Sequence, residues 1–294
     1  MIRRWLTWVL AGCYCAIACA TADAAEFKRT EDVIYARKFG TALTLDVFEP
    51  PAKNGAGVIF VVSGGYFSSH DGVNVAFMEP FLKRGYVVFA VVHGSQPRFI
   101  IPEIVEDIHR AVRFVRTKAP AYGVNPDRLG ITGASAGGHL SITMGTQGGL
   151  GKPDAKDPID RETSAVAAVA CFFPPTDFLN FGKDGEDAVG VGILKDFKPA
   201  FGARADTVES RKAYGREISP INFITPKMPP TLIIHGDADR LVPIQQAEIF
   251  VAKAKATGAG ETKLIVRPGK EHGWKDIIKD LDLFADWFDT HLKR

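Results

Sequence analysis

One serine is set among small residues in a way that suits nucleophilic chemistry: Gly133-Ala134-Ser135-Ala136-Gly137. A serine hydroxyl is a poor nucleophile until a neighbouring base takes its proton. Histidine suits that task near neutral pH, and it needs an acceptor that fixes its tautomer and stabilises its charged form. The chain supplies both downstream. His272 lies in Pro268-Gly269-Lys270-Glu271-His272-Gly273-Trp274. Two aspartates lie in Gly236-Asp237-Ala238-Asp239-Arg240-Leu241-Val242-Pro243. Asp239 reaches further into that loop before Pro243 starts a helix, so it is the expected acid. Asp237 is expected to hydrogen-bond the turn around it. Serine, histidine and aspartate together perform acyl transfer through a covalent intermediate.

These residues can act together only if the fold joins them, and each follows a strand-like run. Leu129-Gly130-Ile131-Thr132 precedes the serine motif, and a helix-like run from Gly138 to Met144 follows it. That is strand, sharp turn, helix. Small residues suit such a turn because larger side chains would meet neighbouring backbone, and the serine itself is strained. The helix N-terminus aims free N–H groups at the site. Thr231-Leu232-Ile233-Ile234-His235 precedes the aspartates, and residues 263–267 precede His272.

Apolar runs at 57–63 and 86–92 read as strands buried on both faces, and 164–173 as another. Residues 32–37 and 41–48 bracket Phe39-Gly40 as an antiparallel hairpin. Helices are expected at 75–84, 102–118, 244–256 and 273–292. Alternating strands and helices imply an α/β fold, with a mostly parallel central sheet and helices on both faces. Functional groups then collect on loops beyond the carboxyl ends of the strands. Residues 174–227 break the alternation. They are rich in Phe, Gly, Lys and Asp, with a helix expected at 206–216, and read as a small helical cap inserted between two strands. Phe178, Phe181, Phe197 and Phe201 give this cap apolar surface for a pocket roof.

Two backbone donors are expected to hold the developing oxyanion. One is the N–H of Ala136. The other comes from Gly64-Gly65-Tyr66-Phe67, after the 57–63 strand, with Gly65 ahead of Tyr66. Substrate contacts are expected from Tyr66, Phe67, His70, Phe178 and Trp274. His93 also lies near a strand exit. His235 and His139 read as structural, and Cys171 as a buried small hydrophobe.

The chain has 294 residues, 46% hydrophobic and 24% charged, with a net charge of +2. That composition buries a sizeable core and gives no reason to expect a nucleic-acid partner. Arg3 and Arg4 precede an apolar run to Ala20, and Ala22-Asp23-Ala24 fits a small-x-small cleavage site. Residues 1–24 read as a secretory signal peptide for bacterial export, to the periplasm or beyond. Residues 25–294 are expected to form one domain carrying the 174–227 insertion. The run is short for a membrane span. Leu10-Ala11-Gly12-Cys13 is a rival reading, a lipoprotein box with Cys13 acylated. Cleavage removes Cys13, Cys15 and Cys19 and leaves Cys171, so no internal disulfide is expected. No Cys/His cluster has zinc spacing, and neither a metal nor an organic cofactor is expected.

With these residues placed, the chain resembles the α/β-hydrolase superfamily, in its esterase/lipase branch, over about residues 30–294. That branch includes feruloyl-esterase-like enzymes, hormone-sensitive-lipase-like esterases, kynurenine formamidases and the catalytic domain of prolyl oligopeptidases. The matching stretches are Gly133-Ala134-Ser135-Ala136-Gly137-Gly138-His139, His235 through Pro243, and Glu271-His272-Gly273. The order serine, aspartate, histidine is that of the superfamily. One departure is that relatives carry His-Gly-Gly-x-Trp where this chain has Ser63-Gly64-Gly65-Tyr66-Phe67. The resemblance implies a serine hydrolase of small carboxylic esters, with Ser135, His272 and Asp239 as its triad. An amidase or small-peptide hydrolase with the same triad is the alternative, and a non-catalytic binding protein on the same scaffold is a third. Acyl and alcohol preference and oligomeric state are not legible.

Overall fold

The computed structural model describes residues 27–292. The expected signal peptide and Cys13 therefore lie outside the described residues. The elements run β1 (Lys28–Lys38), β2 (Thr41–Glu49), β3 (Gly57–Val62), α1 (Glu79–Lys83), β4 (Val87–Val92), α2 (Ile101–Lys118), β5 (Leu129–Ala134) and α3 (Ala136–Gln147). Then follow β6 (Ala168–Phe172), α4 (Lys198–Phe201), α5 (Val208–Ile218), β7 (Thr231–Gly236), α6 (Gln245–Thr257), β8 (Thr262–Arg267) and α7 (Leu281–Leu292). Among the described residues the strands form one eight-stranded sheet, ordered β1-β2-β4-β3-β5-β6-β7-β8. β1, β2 and β4 pair antiparallel, and every pairing from β4 through β3 to β8 is parallel.

Side chains on a strand alternate between faces, and here both faces are covered. Val58, Val62, Ala168, Ala170 and Phe172 pack with Phe81 of α1 and with Phe284 and Phe288 of α7. Their neighbours Ile59, Val61, Val169 and Cys171 pack the other way, with Ile104, Ile108 and Val112 of α2 and Leu140 of α3. This double burial is why the strands read as continuous apolar runs. Cys171 is fully buried, and burial pushes its thiol pKa well up, so it is the small hydrophobe expected.

Strand order reverses between β3 and β5. Chain leaving β3 turns towards β4, and chain leaving β5 turns towards β6. Loops at such a switch point diverge and leave a crevice at the carboxyl ends. The exits of β3, β5, β7 and β8 all carry predicted site residues.

Several boundaries differ from expectation, each for a local reason. The helix expected at 75–84 is a 3₁₀ turn, Val75–Phe77, capped by the Asn74 side chain, followed by the short α1. The strand expected from residue 164 starts at Ala168, because Ser164 turns its hydroxyl to the Gly149 N–H and to His109. The closing helix expected from 273 starts at Leu281. Gly273 has φ +92°, and the Trp274 indole N–H donates to Asp280 at 2.9 Å, which fixes a turn there. Residues 174–227 hold α4, α5 and 3₁₀ turns. Their interior is Phe178, Phe201 and Tyr214, all fully buried.

Candidate active site

Ser135 sits between β5 and α3 with φ +55° and ψ −118°, a conformation that L-residues avoid. The flanking glycines are required by contact. A Cβ at Gly133 would lie 2.6 Å from the Gly137 carbonyl, and one at Gly137 would lie 2.8 Å from the Val61 oxygen. The Ser135 N–H is tied to the Phe172 carbonyl at 3.1 Å, and its own carbonyl accepts the His139 N–H at 2.8 Å. The strain is therefore held from both sides.

The exits of β7 and β8 bring the partners. His272 Nε2 is 2.9 Å from Ser135 Oγ, and His272 Nδ1 is 2.7 Å from Asp239 Oδ2. An ionised Asp239 can only accept, so Nδ1 carries the proton and Nε2 is left to accept from the serine hydroxyl. The N–H groups of Leu241 and Val242 both donate to Asp239 Oδ1 at 2.9 Å. Burial alone would raise the Asp239 pKa. Hydrogen bonds from His235 and His272, with the Val242 N–H, outweigh it and hold the carboxyl well below its usual range. Asp237 instead accepts the Gly269 N–H at 2.6 Å and ties the β7 and β8 exit loops together.

The β3 exit forms a tight turn in which Gly64 and Phe67 exchange backbone hydrogen bonds at 3.0 and 2.9 Å. Gly65 and Tyr66 both have positive φ, +54° and +66°. No hydrogen bond engages the N–H of Gly65 or Tyr66 among the described residues. The Ala136 N–H, in the first turn of α3, has no intrahelical acceptor. Ser135, Ala136, Gly65 and Tyr66 line one small cavity of about 30 Å³ together with Pro175, Leu194, Phe197, Phe201, Leu241 and Val242. A wider depression of about 750 Å³ lies between β1 and α2 and contains none of the predicted site residues.

Four expected substrate contacts sit elsewhere. Phe178 is fully buried against His139, Phe181 and Phe201, and does not line the cavity. Trp274 packs on Phe172 and Phe173, supporting the loop that carries His272. Phe67 is 55% exposed and lines a separate open groove with Ser63, Gly64 and Ser68. His70 turns away towards β1 and β2, where its Nε2 lies 3.3 Å from Arg29 and its Nδ1 3.6 Å from Asp46. Glu31, Asp46 and His70 come close enough to suggest a metal site. The Arg29 guanidinium already stands among them, 3.1 Å from Glu31 and 2.5 Å from Asp46, and supplies the positive charge.

Three residues gain positions that the sequence did not disclose. Gln96 clamps the β3-exit turn, donating from its side chain to the Gly65 carbonyl at 2.7 Å and from its N–H to the Tyr66 carbonyl at 3.1 Å. A polar residue before Pro97, just past a strand exit, was the available signal. His139 donates from Nε2 to the Ile218 carbonyl at 2.8 Å and accepts the Tyr66 hydroxyl at Nδ1, 3.2 Å away. It thus joins α3, the β3-exit turn and the end of α5. His235 lies behind the acid, with Nε2 2.8 Å from the Val242 carbonyl and 3.4 Å from Asp239 Oδ2.

Burial also sets an acid limit on the fold. Desolvation pushes the pKa values of His93, His109 and His139 down to about 4, from an ordinary 6.5. Between those values the unfolded chain binds more protons than the native one, so stability rises with pH and is lost as pH falls below 6.5. Each histidine contributes up to about 1.4 kcal/mol per pH unit in that window. Urea midpoints are expected to fall clearly from pH 7 to pH 5. Identical midpoints would mean that these rings are not held neutral.

A mostly parallel sheet with a serine on the sharp turn after β5, facing loops from β3, β7 and β8, defines an α/β hydrolase fold. The chain belongs to the BD-FAE family of feruloyl-esterase-like α/β hydrolases, whose family model matches residues 45–254. It is 26% identical over 251 residues to esterase LipQ of Mycobacterium tuberculosis, covering 84% of this chain and 57% of that protein. It is also 26% identical over 249 residues to an acetylxylan esterase of Xylanibacter ruminicola, covering 83% and 44%. The chain thus spans about half the length of the curated relatives it matches. Among solved structures, a truncated carbohydrate esterase from gut microbiota superposes with a TM-score of 0.75 and 27% identity, over 92% of this chain and 99% of that one. Among the described residues no helix is long and apolar enough to cross a membrane.

Proposed function

We propose that the protein is an exported serine hydrolase that cleaves small carboxylic esters through an acyl-enzyme on Ser135. The observation that carries the reading is the continuous hydrogen-bonded chain from Ser135 Oγ through His272 to Asp239, at 2.9 and 2.7 Å. Similarity to named esterases supports the ester as substrate. The proposed export rests on the 1–24 segment.

Ser135 Oγ attacks the ester carbonyl while His272 Nε2 takes its proton. Asp239 holds Nδ1–H and stabilises the imidazolium. The carbonyl oxygen gains negative charge and is met by the N–H of Ala136 and that of Gly65 or Tyr66. The tetrahedral adduct collapses as His272 returns the proton to the departing alcohol. Water then repeats the sequence on the acyl-enzyme and releases the acid. Every proton is handled by these residues, and the steps draw on no metal or organic cofactor.

The test compares p-nitrophenyl acetate with acetyl p-nitroanilide on the purified chain, alongside labelling by a fluorophosphonate read by intact mass. Turnover of the ester, with one adduct mapped to Ser135, is expected. Anilide-only turnover would make it an amidase. No turnover and no adduct would leave a binding protein on the hydrolase scaffold.

A further inference from the structure

We infer that Phe197 sets the length of the acyl group this site accepts, limiting it to about two carbons, and that Gly65 is the glycine that lets it do so. The inference rests on the ester-hydrolase reading and deepens it.

Two spaces flank the β3-exit turn. One is the small cavity of about 30 Å³ beside Ser135 and Ala136. The other is the open groove of about 470 Å³ beside Gly64 and Phe67. Ser135 lines the first of these spaces and not the second. The acyl group stays attached to Ser135 and so takes the first. A site for one water needs roughly 10–15 Å³ by this kind of measure, so the cavity has room for about two such groups. An acetyl group fits, and a longer chain runs up against the walls.

The walls are not equally able to yield. Leu194 is 5% exposed and Phe201 fully buried, the latter packed on Tyr66, Phe178 and Tyr214. Val242 is fixed by backbone bonds to Asp239 and His235. Phe197 differs. It is half-buried, at the junction of a 3₁₀ turn and α4, and its ring lies against Gly65. A Cβ at Gly65 would come within 2.5 Å of its Cε1 and 2.8 Å of its Cδ1. Only a glycine at position 65 allows the ring so close, and the ring occupies space that a longer acyl chain would need. Phe201, by contrast, is a structural wall whose loss is felt by the whole 174–227 segment.

The experiment measures kcat/KM for p-nitrophenyl acetate, butyrate and octanoate, with thermal stability, in wild type, Phe197→Ala, Phe197→Leu and Phe201→Ala. Wild type should favour acetate over butyrate by about tenfold or more, since a methylene too many in a filled pocket costs on that order. Phe197→Ala should shift the butyrate-to-acetate ratio by about tenfold or more towards butyrate, with Tm little changed. Phe197→Leu should lie between, and it carries the test if the alanine variant does not fold. Phe201→Ala should mainly lose stability. An unchanged ratio in folded Phe197 variants, or a wild type that prefers octanoate, overturns the inference while leaving the hydrolase intact. Absence of both ester turnover and Ser135 labelling in wild type overturns both.

Discussion

Ser135→Ala is expected to lower kcat towards an activated acetyl ester by about 10⁶-fold, on the scale seen when a triad serine is removed elsewhere. The loss is this large because the one other hydroxyl among the lining residues, that of Tyr66, is engaged with His139, and the rest of the lining is Gly65, Ala136 and apolar side chains. Alanine keeps the fold, since it meets the same strain as serine at φ +55°. Ser135→Gly is the informative companion. Glycine adopts this conformation freely, so it should be equally inactive yet more stable, by about 1 kcal/mol after its entropic cost is counted. Strain released by the change that abolishes activity would show that the turn is held for the sake of the hydroxyl. Turnover of Ser135→Ala within tenfold of wild type would place the nucleophile elsewhere. The first place to look would then be Ser63, whose Oγ lies 2.8 Å from His93 Nε2.

What was legible in the sequence was whatever short local patterns encode. Gly133 and Gly137 are dictated by contacts within a few residues of Ser135 and with β3, so the turn announces itself. Asp239 and His272 stand a few residues past apolar runs, and the parallel sheet places all such exits on one edge. Reach alone favours Asp239 over Asp237 in the sequence, and Asp239 is the one that stands 2.7 Å from His272. Long-range packing was not legible. Phe178 and Phe197 are the same residue type in the same aperiodic stretch, yet one lies in the interior and the other over Gly65. Only the path of the chain separates them. His70 was drawn to the site by its place after a strand exit, but the buried carboxylate of Asp46, from β2, lies against it instead. Gln96 acts through backbone carbonyls of the β3-exit turn, far away in sequence. His235 acts through a carbonyl and a carboxylate seven and four residues on, which only the folded path of the β7 exit turns back to it.

Asp239→Asn is expected to lower turnover by about 10⁴-fold, with Asp237→Asn costing less than about tenfold. The reason is geometric. Asp239 Oδ1 accepts two backbone N–H groups at 2.9 Å, so an asparagine there keeps its carbonyl oxygen towards Leu241 and Val242. Its NH₂ must then face His272 Nδ1, where Oδ2 now sits at 2.7 Å. A donor facing Nδ1 forces the proton onto Nε2. The Nε2–H would point at Ser135 Oγ, and the base could no longer take the serine's proton. His235 adds to the conflict. Its Nε2 proton, held by the Val242 carbonyl, lies near the same Oδ2 and would oppose the new NH₂. Asp237 has no such duty, because an amide carbonyl accepts the Gly269 N–H as the carboxylate does. Steady-state rates on p-nitrophenyl acetate, with Tm as a control for folding, decide the matter. A slow Asp237→Asn and a nearly normal Asp239→Asn, both folded, would move the acid to Asp237 and require the β7 exit loop to rearrange before catalysis.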